Sequence, residues 1–585
     1  MSDSPTERPP SLLDRIPLVR LLRGYRFADF RKDLKAGINV ALLDFPQGMA
    51  YAMIAGLPVQ FGIYSSAIGS MTGPVFASSR FLMLGPTNAS AVLLLSGYLS
   101  MGLPDDQKLV VLPLILILVA AMMFLGALLS AEVVIQFVSR AVITGYITAA
   151  AFLIIVNQLN NVLGLEVAKS GTFFGSCRNT LAAIAETHWP TLAFAAATIA
   201  VYFLIKKLLR FLPAVAGTLL IMTITGVWLS GRGHPVETLP PLTSGGWPLT
   251  IPVFDPGLMN QLLGTAFAIA FLSLLESASI AKTLAARAGD TVNIRQQMVS
   301  MGVADLANAF GSGMPVSGSL TRSMLNWSSG ARTPLSSIIS GAILAGGVLL
   351  IGAAIQFVPK PSLAALVILV GLSVIKWPDI KSFLLVSKSD AATFLMTFGS
   401  GLLFPLDKAI YIGVGISIVL FLRKVGRPQL VEYDFNERGE LAERPASKPR
   451  DAISIVHVEG DLFFGSTDIF QDQVRALVRS PAIKVIILRL LNAHHIDASA
   501  TLAIRELNRF ARSQGRHVLI SGIREDIRPV LERARIHEAV GEENMFDYTP
   551  ENVTLSTRNA LKRAQELLGT DKAEIVFYAK DQKKT

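Results

Sequence analysis

The stretch Gly313-Met314-Pro315-Val316-Ser317-Gly318-Ser319-Leu320-Thr321-Arg322-Ser323 lies between long apolar runs, yet it is rich in small polar residues and carries an arginine. Proline cannot continue a preceding helix but suits the first helical position, so the stretch predicts a helix opening at Pro315. Ser317, Ser319 and Thr321 supply hydroxyls, and the first N–H groups of such a helix would be free to bind an anion. In water this would be a capped loop. Inside a membrane, non-helical backbone is tolerated only where protein covers it or a water-filled cavity faces it. The surrounding solvent therefore decides what the stretch is.

The chain of 585 residues is 51% hydrophobic and 16% charged, with a mean hydropathy of +0.49. That balance is too apolar for a soluble enzyme of this size. From about Lys35 to Leu422 the apolar residues form runs long enough to span a bilayer, and after Lys424 charge becomes dense. The net charge of +10 does not point to nucleic acid, because Lys and Arg fall mostly between the apolar runs, as in membrane proteins. The single cysteine, Cys177, excludes an internal disulfide and a multi-thiolate metal site. Residues 1–35 hold eight Lys/Arg against five Asp/Glu and lack the short apolar core of a cleavable signal. They read as a cytoplasmic, partly interfacial arm.

Within a transport domain over 36–425, apolar runs predict spans near 37–56, 60–78, 84–101, 108–130, 140–163, 190–206 and 211–230. A second set lies near 258–280, 294–311, 315–329, 334–356, 361–376, 390–405 and 407–422. The third and tenth are short for a bilayer that takes about 20 helical residues. Fourteen spans put both termini on one side, and loops on that side carry fifteen Lys or Arg against six on the other. The bias makes the side of the termini cytoplasmic. Residues 231–256 then join two sets of seven, and an odd number per set predicts an inverted repeat. Pro86, in Gly85-Pro86-Thr87-Asn88-Ala89-Ser90, lies 229 residues before Pro315, and Gln47 lies 229 before Glu276.

After a linker over 426–450 the pattern changes. Strands at 453–458, 483–490 and 517–521 alternate with helices near 467–479, 499–513 and 526–536. This is a small soluble α/β domain over 451–548. Residues 549–585 read as one helix near 551–568 and a charged end.

Taken together, the chain resembles the sulfate permease (SulP) family of anion transporters with a C-terminal STAS domain, over nearly its whole length. The carriers are Pro46-Gln47-Gly48-Met49-Ala50-Tyr51-Ala52, Gly62-Ile63-Tyr64-Ser65-Ser66, Gly85-Pro86-Thr87, and Pro315 to Arg322 followed by Ser329-Gly330-Ala331-Arg332-Thr333-Pro334. The resemblance implies an α-helical polytopic membrane protein with fourteen transmembrane segments in two inverted seven-span repeats, a core and a gate domain, and a homodimer. It also implies that spans three and ten are half-helices whose N-termini face each other across the anion. There are two departures. Gln297 stands where the family often has glutamate. In Ile496-Asp497-Ala498-Ser499, alanine takes the place of the serine phosphorylated in bacterial anti-sigma-factor antagonists, which argues against a phospho-switch by that route.

A dianion enters a low-dielectric site only against compensating charge. Two helix N-termini, each worth roughly half a positive charge, and Arg322 sum to about +2, which suits sulfate or a dicarboxylate. The substrate-binding candidates are therefore Thr87, Asn88 and Ala89 at one helix start, with Ser90 nearby. Ser317, Gly318, Ser319, Leu320, Thr321 and Arg322 stand at the other. The competing reading makes these segments packed kinks and lets Arg322 snorkel to the interface. Gln47 and Tyr51, one helical turn apart, would close the site from the first span, unless Gln47 merely bonds a neighbouring helix. Asp44 and Asp305 are weaker candidates, with a structural role as the alternative.

Glu276, deep in an apolar span, is the candidate for ion coupling. Ionised, it would cut the local charge to about +1; protonated, it would restore about +2. That arithmetic couples a co-transported proton to the dianion, while sodium, or a purely structural partnership with Arg322, remains open. No cofactor or metal is expected, and His494-His495 reads as a solvated loop. With no nucleophile–base pair, phosphate loop or ATP motif in view, the chain reads as a secondary anion transporter and not an enzyme. The expected setting is the bacterial inner membrane, with a homodimer, a cytoplasmic protein partner for the STAS domain and no nucleic acid. Alternatives are a dicarboxylate or sodium–bicarbonate carrier, a passive anion channel, or a membrane-anchored sensor.

Overall fold

Backbone without water to bond must satisfy itself, so the apolar runs fold as helices. The computed structural model of the protein describes residues 17–22, 24–135, 138–167, 170–208, 213–241, 247–425, 429–435, 441–443, 452–493 and 495–569. About half of the N-terminal arm, much of the linker, His494 and the charged C-terminal end lie outside the described residues. The chain divides into two compact units, Met1–Ile418 and Val419–Thr585.

In the first unit a helix occupies each apolar run. Among the described residues, five segments are long and apolar enough to cross a membrane by length and composition. Large apolar side chains such as Leu128, Leu204, Leu220 and Leu350 stand more than half exposed on the outside of the bundle. Such a surface suits lipid and not water. One packing group contains α1 (Phe27–Ala55), α2 (Gln60–Phe76), α3 (Asn88–Ser100), α4 (Asp105–Leu128), α5 (Pro256–Ala288), α6 (Ile294–Phe310), α7 (Leu320–Ser328) and α8 (Leu335–Ile351). A second brings Arg140–Leu163, Trp189–Leu208 and Ala214–Ser230 against Lys360–Val374 and Lys388–Leu403. Both halves of the sequence contribute to each group. α1 crosses α2 closely, where a Cβ at Gly62 would run into the Gly48 carbonyl oxygen.

The opening stretch folds differently from expectation. No helix opens at Pro315. Residues 317–318 form a short strand, β2, paired antiparallel with β1 (Leu84–Gly85) in the register Leu84↔Gly318 and Gly85↔Ser317. The helix α7 begins only at Leu320. Pro86 follows β1 whereas Pro315 precedes β2, so the two prolines are not structural counterparts despite their matched spacing. Side chains hold the stretch extended: Val316 N–H donates to Asp305 Oδ1 at 2.9 Å. Ser65 Oγ donates to the Met314 carbonyl at 2.6 Å, and Gly318 N–H donates to Ser277 Oγ at 2.8 Å. Helices outside the expected spans also appear, among them Phe173–Ala182 and Trp377–Val386.

The second unit is a six-stranded sheet in the order β4-β3-β5-β6-β7-β8. Its strands are β3 (Gln429–Phe435), β4 (Leu441–Glu443), β5 (Ile453–Glu459), β6 (Val485–Asn492), β7 (His517–Ile523) and β8 (Met545–Asp547). The last four run parallel, and β3 is antiparallel to both neighbours. β3 and β4 lie where a linker was expected. Val431, Tyr433 and Phe435 alternate with Glu432 and Asp434, a period-two signal that marks a strand. Alternate residues of the parallel strands serve opposite faces. Val456, Ile486, Leu488 and Ile520 pack under α9 (Thr467–Val478) and α10 (Ala498–Ser513). Ile455, Val485, Ile487 and Leu519 pack under α11 (Leu555–Leu568) through Ala560, Leu561 and Ala564. The C-terminal helix thus covers one face of the sheet, as a parallel sheet buried on both sides requires.

Candidate anion-binding site

Two short helices start beside the β1–β2 ladder. α3 has 13 residues and α7 has 9, about 20 and 14 Å at 1.5 Å per residue, against a hydrocarbon core of about 30 Å. Thr87 caps α3 by accepting from Ser90 N–H while Ser90 Oγ accepts from Thr87 N–H. Ser319 caps α7 by accepting from Arg322 N–H. Each cap leaves the first two helical N–H groups, those of Asn88 and Ala89 and those of Leu320 and Thr321, without an intrahelical acceptor.

Glu276 of α5 connects the two starts. Its Oε2 accepts from Ser317 Oγ at 3.0 Å and from Thr87 Oγ1 at 3.4 Å. Glu276, Asn88 and Ala89 line a cavity of about 20 Å³ together with apolar side chains including Ile147 and Ile154. That space is close to what one water needs. Larger cavities, of about 1170 Å³ at the C-terminal ends of β6–β8 and about 440 Å³ along apolar residues of α1, do not border Glu276.

Arg322 is the main correction. Its guanidinium does not line the cavity. Nη1 pairs with Asp44 Oδ1 at 2.5 Å, with both side chains fully buried. Nη1 also meets Ser66 Oγ at 3.4 Å, and Nη2 donates to the Pro86 carbonyl at 2.8 Å. Ser66 Oγ in turn donates to Asp44 Oδ1 at 3.1 Å. The guanidinium lies against Gly85, where a Cβ would come within 2.6 Å of Nη1. A buried cation in a low-dielectric interior takes a carboxylate within reach. The formal charge offered to an anion therefore falls from about +2 to the roughly +1 of the two helix ends.

Of the other sequence-predicted residues, Thr87, Asn88, Ala89, Ser317 and Glu276 come together. Gly318 N–H is already bound to Ser277. Ser319 acts as a cap, and Leu320 and Thr321 are exposed. Gln47 and Tyr51 are buried on α1, which packs on α3 and α7. Neither lines the small cavity, although Tyr51 lies within electrostatic reach of Arg322, Asp44 and Glu276. Gln47 Oε1 and Asn88 Oδ1 make no hydrogen bond. Sequence reasoning left Asp44 undecided and missed Ser66 and Ser277. Asp44 carried a usable signal, a carboxylate inside an apolar helix.

Comparison with known proteins follows the same division. The profile of the sulfate permease family matches residues 30–397, and that of the STAS domain matches residues 444–551. Sulfate transporter 4.1, chloroplastic, of Arabidopsis thaliana is 28% identical over 560 residues, covering 91% of this chain and 81% of that protein. Sulfate transporter 1.1 of the same plant is 25% identical, covering 91% and 86%. The fold is similar to that of murine Solute Carrier 26 family member A9, an anion transporter solved in the inward-facing state. The TM-score is 0.84 at 18% identity, with 96% of each chain covered. The transmembrane domain of a cyanobacterial bicarbonate transporter, BicA, aligns with 68% of this chain and 98% of its own at a TM-score of 0.59 and 19% identity.

Proposed function

Because the chain belongs to the sulfate permease family of membrane transporters, we propose that it is a secondary active carrier of sulfate or a related oxyanion, coupled to protons through Glu276. The observation that carries this reading is the single carboxylate oxygen that accepts from both Thr87 and Ser317. Ionised Glu276 occupies the donors that an anion would use. A proton on that carboxylate removes its charge and releases the two hydroxyls, so they and the N–H groups of Asn88 and Ala89 turn to the substrate. Proton and anion then bind together, and symport follows from competition for the same donors.

The cavity of about 20 Å³ is too small for a tetrahedral oxyanion, so binding requires the packing around Glu276 to widen. Rocking or elevator-like movement of the first packing group against the second supplies such a change. In this reading fourteen spans form two inverted repeats, α3 and α7 serve as half-helices, and both termini are cytoplasmic. The carrier is a homodimer in a bacterial inner membrane, with the STAS domain available to a cytoplasmic protein.

Uptake of radiolabelled sulfate into liposomes holding the purified protein tests the proposal. An inward proton gradient should drive accumulation, and Glu276→Gln should abolish that dependence. Proton-driven uptake unaltered by Glu276→Gln would refute the role of Glu276. Accumulation that follows sodium instead would identify the other coupling ion, and flux indifferent to both gradients would identify a channel. Competition by succinate, fumarate and bicarbonate fixes the anion.

A further inference from the structure

We infer that Asp44 sets the net charge of the anion site and thereby its preference between divalent and monovalent anions. This rests on the transport reading above and adds a specificity-determining residue to it. Arg322 Nη2 holds the Pro86 carbonyl, and the next residue, Thr87, donates to Glu276. The Asp44–Arg322 pair therefore stands one residue behind the donors. Both side chains are fully buried, so neither mobile salt nor bulk water screens them from the site as they would screen a surface pair. With the pair intact the two charges cancel, and an anion meets only the partial charges of the helix ends.

Stability alone does not account for the pair. Asp44 Oδ2 and Arg322 Nε make no hydrogen bond, and an incompletely satisfied buried pair is weak support for a fold compared with apolar packing. Charge control does account for it. Neutralising Asp44 leaves Arg322 protonated, since arginine does not release its proton in a protein. A full positive charge then acts on the site, and it attracts a dianion twice as strongly as a monoanion at the same distance.

The measurement is the ratio of sulfate to nitrate uptake in liposomes at fixed pH and ionic strength. Asp44→Asn should raise that ratio on the order of tenfold or more. Adding Arg322→Gln to it removes both charges and should bring the ratio back to within about threefold of the parent, whereas Asp44→Glu should leave it unchanged. A merely structural role would lower both fluxes together and leave the ratio alone. If Asp44→Asn does not yield a monodisperse protein, Asp44→Ser, which makes the same charge change with a smaller side chain, replaces it. A folded Asp44 variant with the parental ratio overturns the assignment. Absence of both fluxes in the unmodified protein overturns the transport reading, and the assignment with it.

Discussion

Gly85→Ala is the sharpest test of how the Arg322 strap is built. The backbone at Gly85 is an ordinary strand, absent from the positions with positive φ, so alanine meets no conformational penalty there. The cost is steric. The new methyl carbon would lie 2.6 Å from Nη1 and 3.0 Å from Cζ and Nη2 of Arg322. The guanidinium cannot simply swing away, because Asp44 and the Pro86 carbonyl hold it in a fully buried position. Overpacking costs about 1–3 kcal/mol. Losing a hydrogen bond from a charged donor adds about 1.5–3 kcal/mol. A total of about 2.5–6 kcal/mol brackets that of breaking a buried ion pair. With about 2 cal/mol/K per residue over a unit of 418 residues, the melting temperature in detergent should fall by roughly 3–7 °C. The control is Gly346→Ala in α8, where a Cβ meets nothing within 4 Å. Alanine there should leave stability unchanged or raise it by about 0.5–1 kcal/mol. A Gly85→Ala protein that melts and transports like its parent would show that the strap tolerates displacement, and the reasoning would fail.

Three other outcomes are expected. Ser317→Ala removes the shorter of the two hydroxyl contacts to Glu276 and should weaken anion binding about tenfold or more, read as a raised KM for uptake. Asp33 is fully buried and accepts from Tyr25 Oη at 2.9 Å, Arg332 N–H at 2.6 Å, Thr333 N–H at 3.2 Å and Thr333 Oγ1 at 2.7 Å. Asp33→Ala strands two backbone donors and should lower the melting temperature at least as much as Gly85→Ala. In the unit that carries the STAS domain, burial pushes the His457 imidazole below its ordinary range, with Arg489 adding to the effect and Glu459 opposing it. The folded state then holds fewer protons than the unfolded chain below about pH 6.5, so this histidine's contribution to stability falls as pH falls. Urea unfolding of the STAS-bearing unit should lose up to about 1.4 kcal/mol per pH unit there, and His457→Gln should flatten that slope.

The helices were legible because a span is a long apolar run, and length is a property of sequence. The STAS strands were legible where apolar residues were continuous, as in Val485-Ile486-Ile487-Leu488. β3 carries a strand signal in the alternation of Val431, Tyr433 and Phe435 with Glu432 and Asp434, but the dense charge around it reads as a linker. A ladder of two residue pairs has no period to detect, so β1 and β2 were invisible and the spacing of Pro86 and Pro315 stood in for them wrongly. Thr87, Ser317 and Glu276 could be chosen because hydroxyls and a carboxylate are out of place in an apolar run. Which charge faces which was not legible: Asp44 and Arg322 are 278 residues apart, and only packing brings them together.

The β1–β2 ladder bears on the direction of transport. Separating the two helix starts would break its pairing, the Ser319 N–H bond to the Met83 carbonyl at 3.1 Å and the Arg322 grip on Pro86. The ladder thus ties the two helix starts to each other, and the widening around Glu276 falls to the helices that surround them. In the proposed carrier, two helix starts that move as one would present the same donors to both compartments. In the proposed symport, net flux would run downhill on the combined anion and proton gradients and reverse when they do.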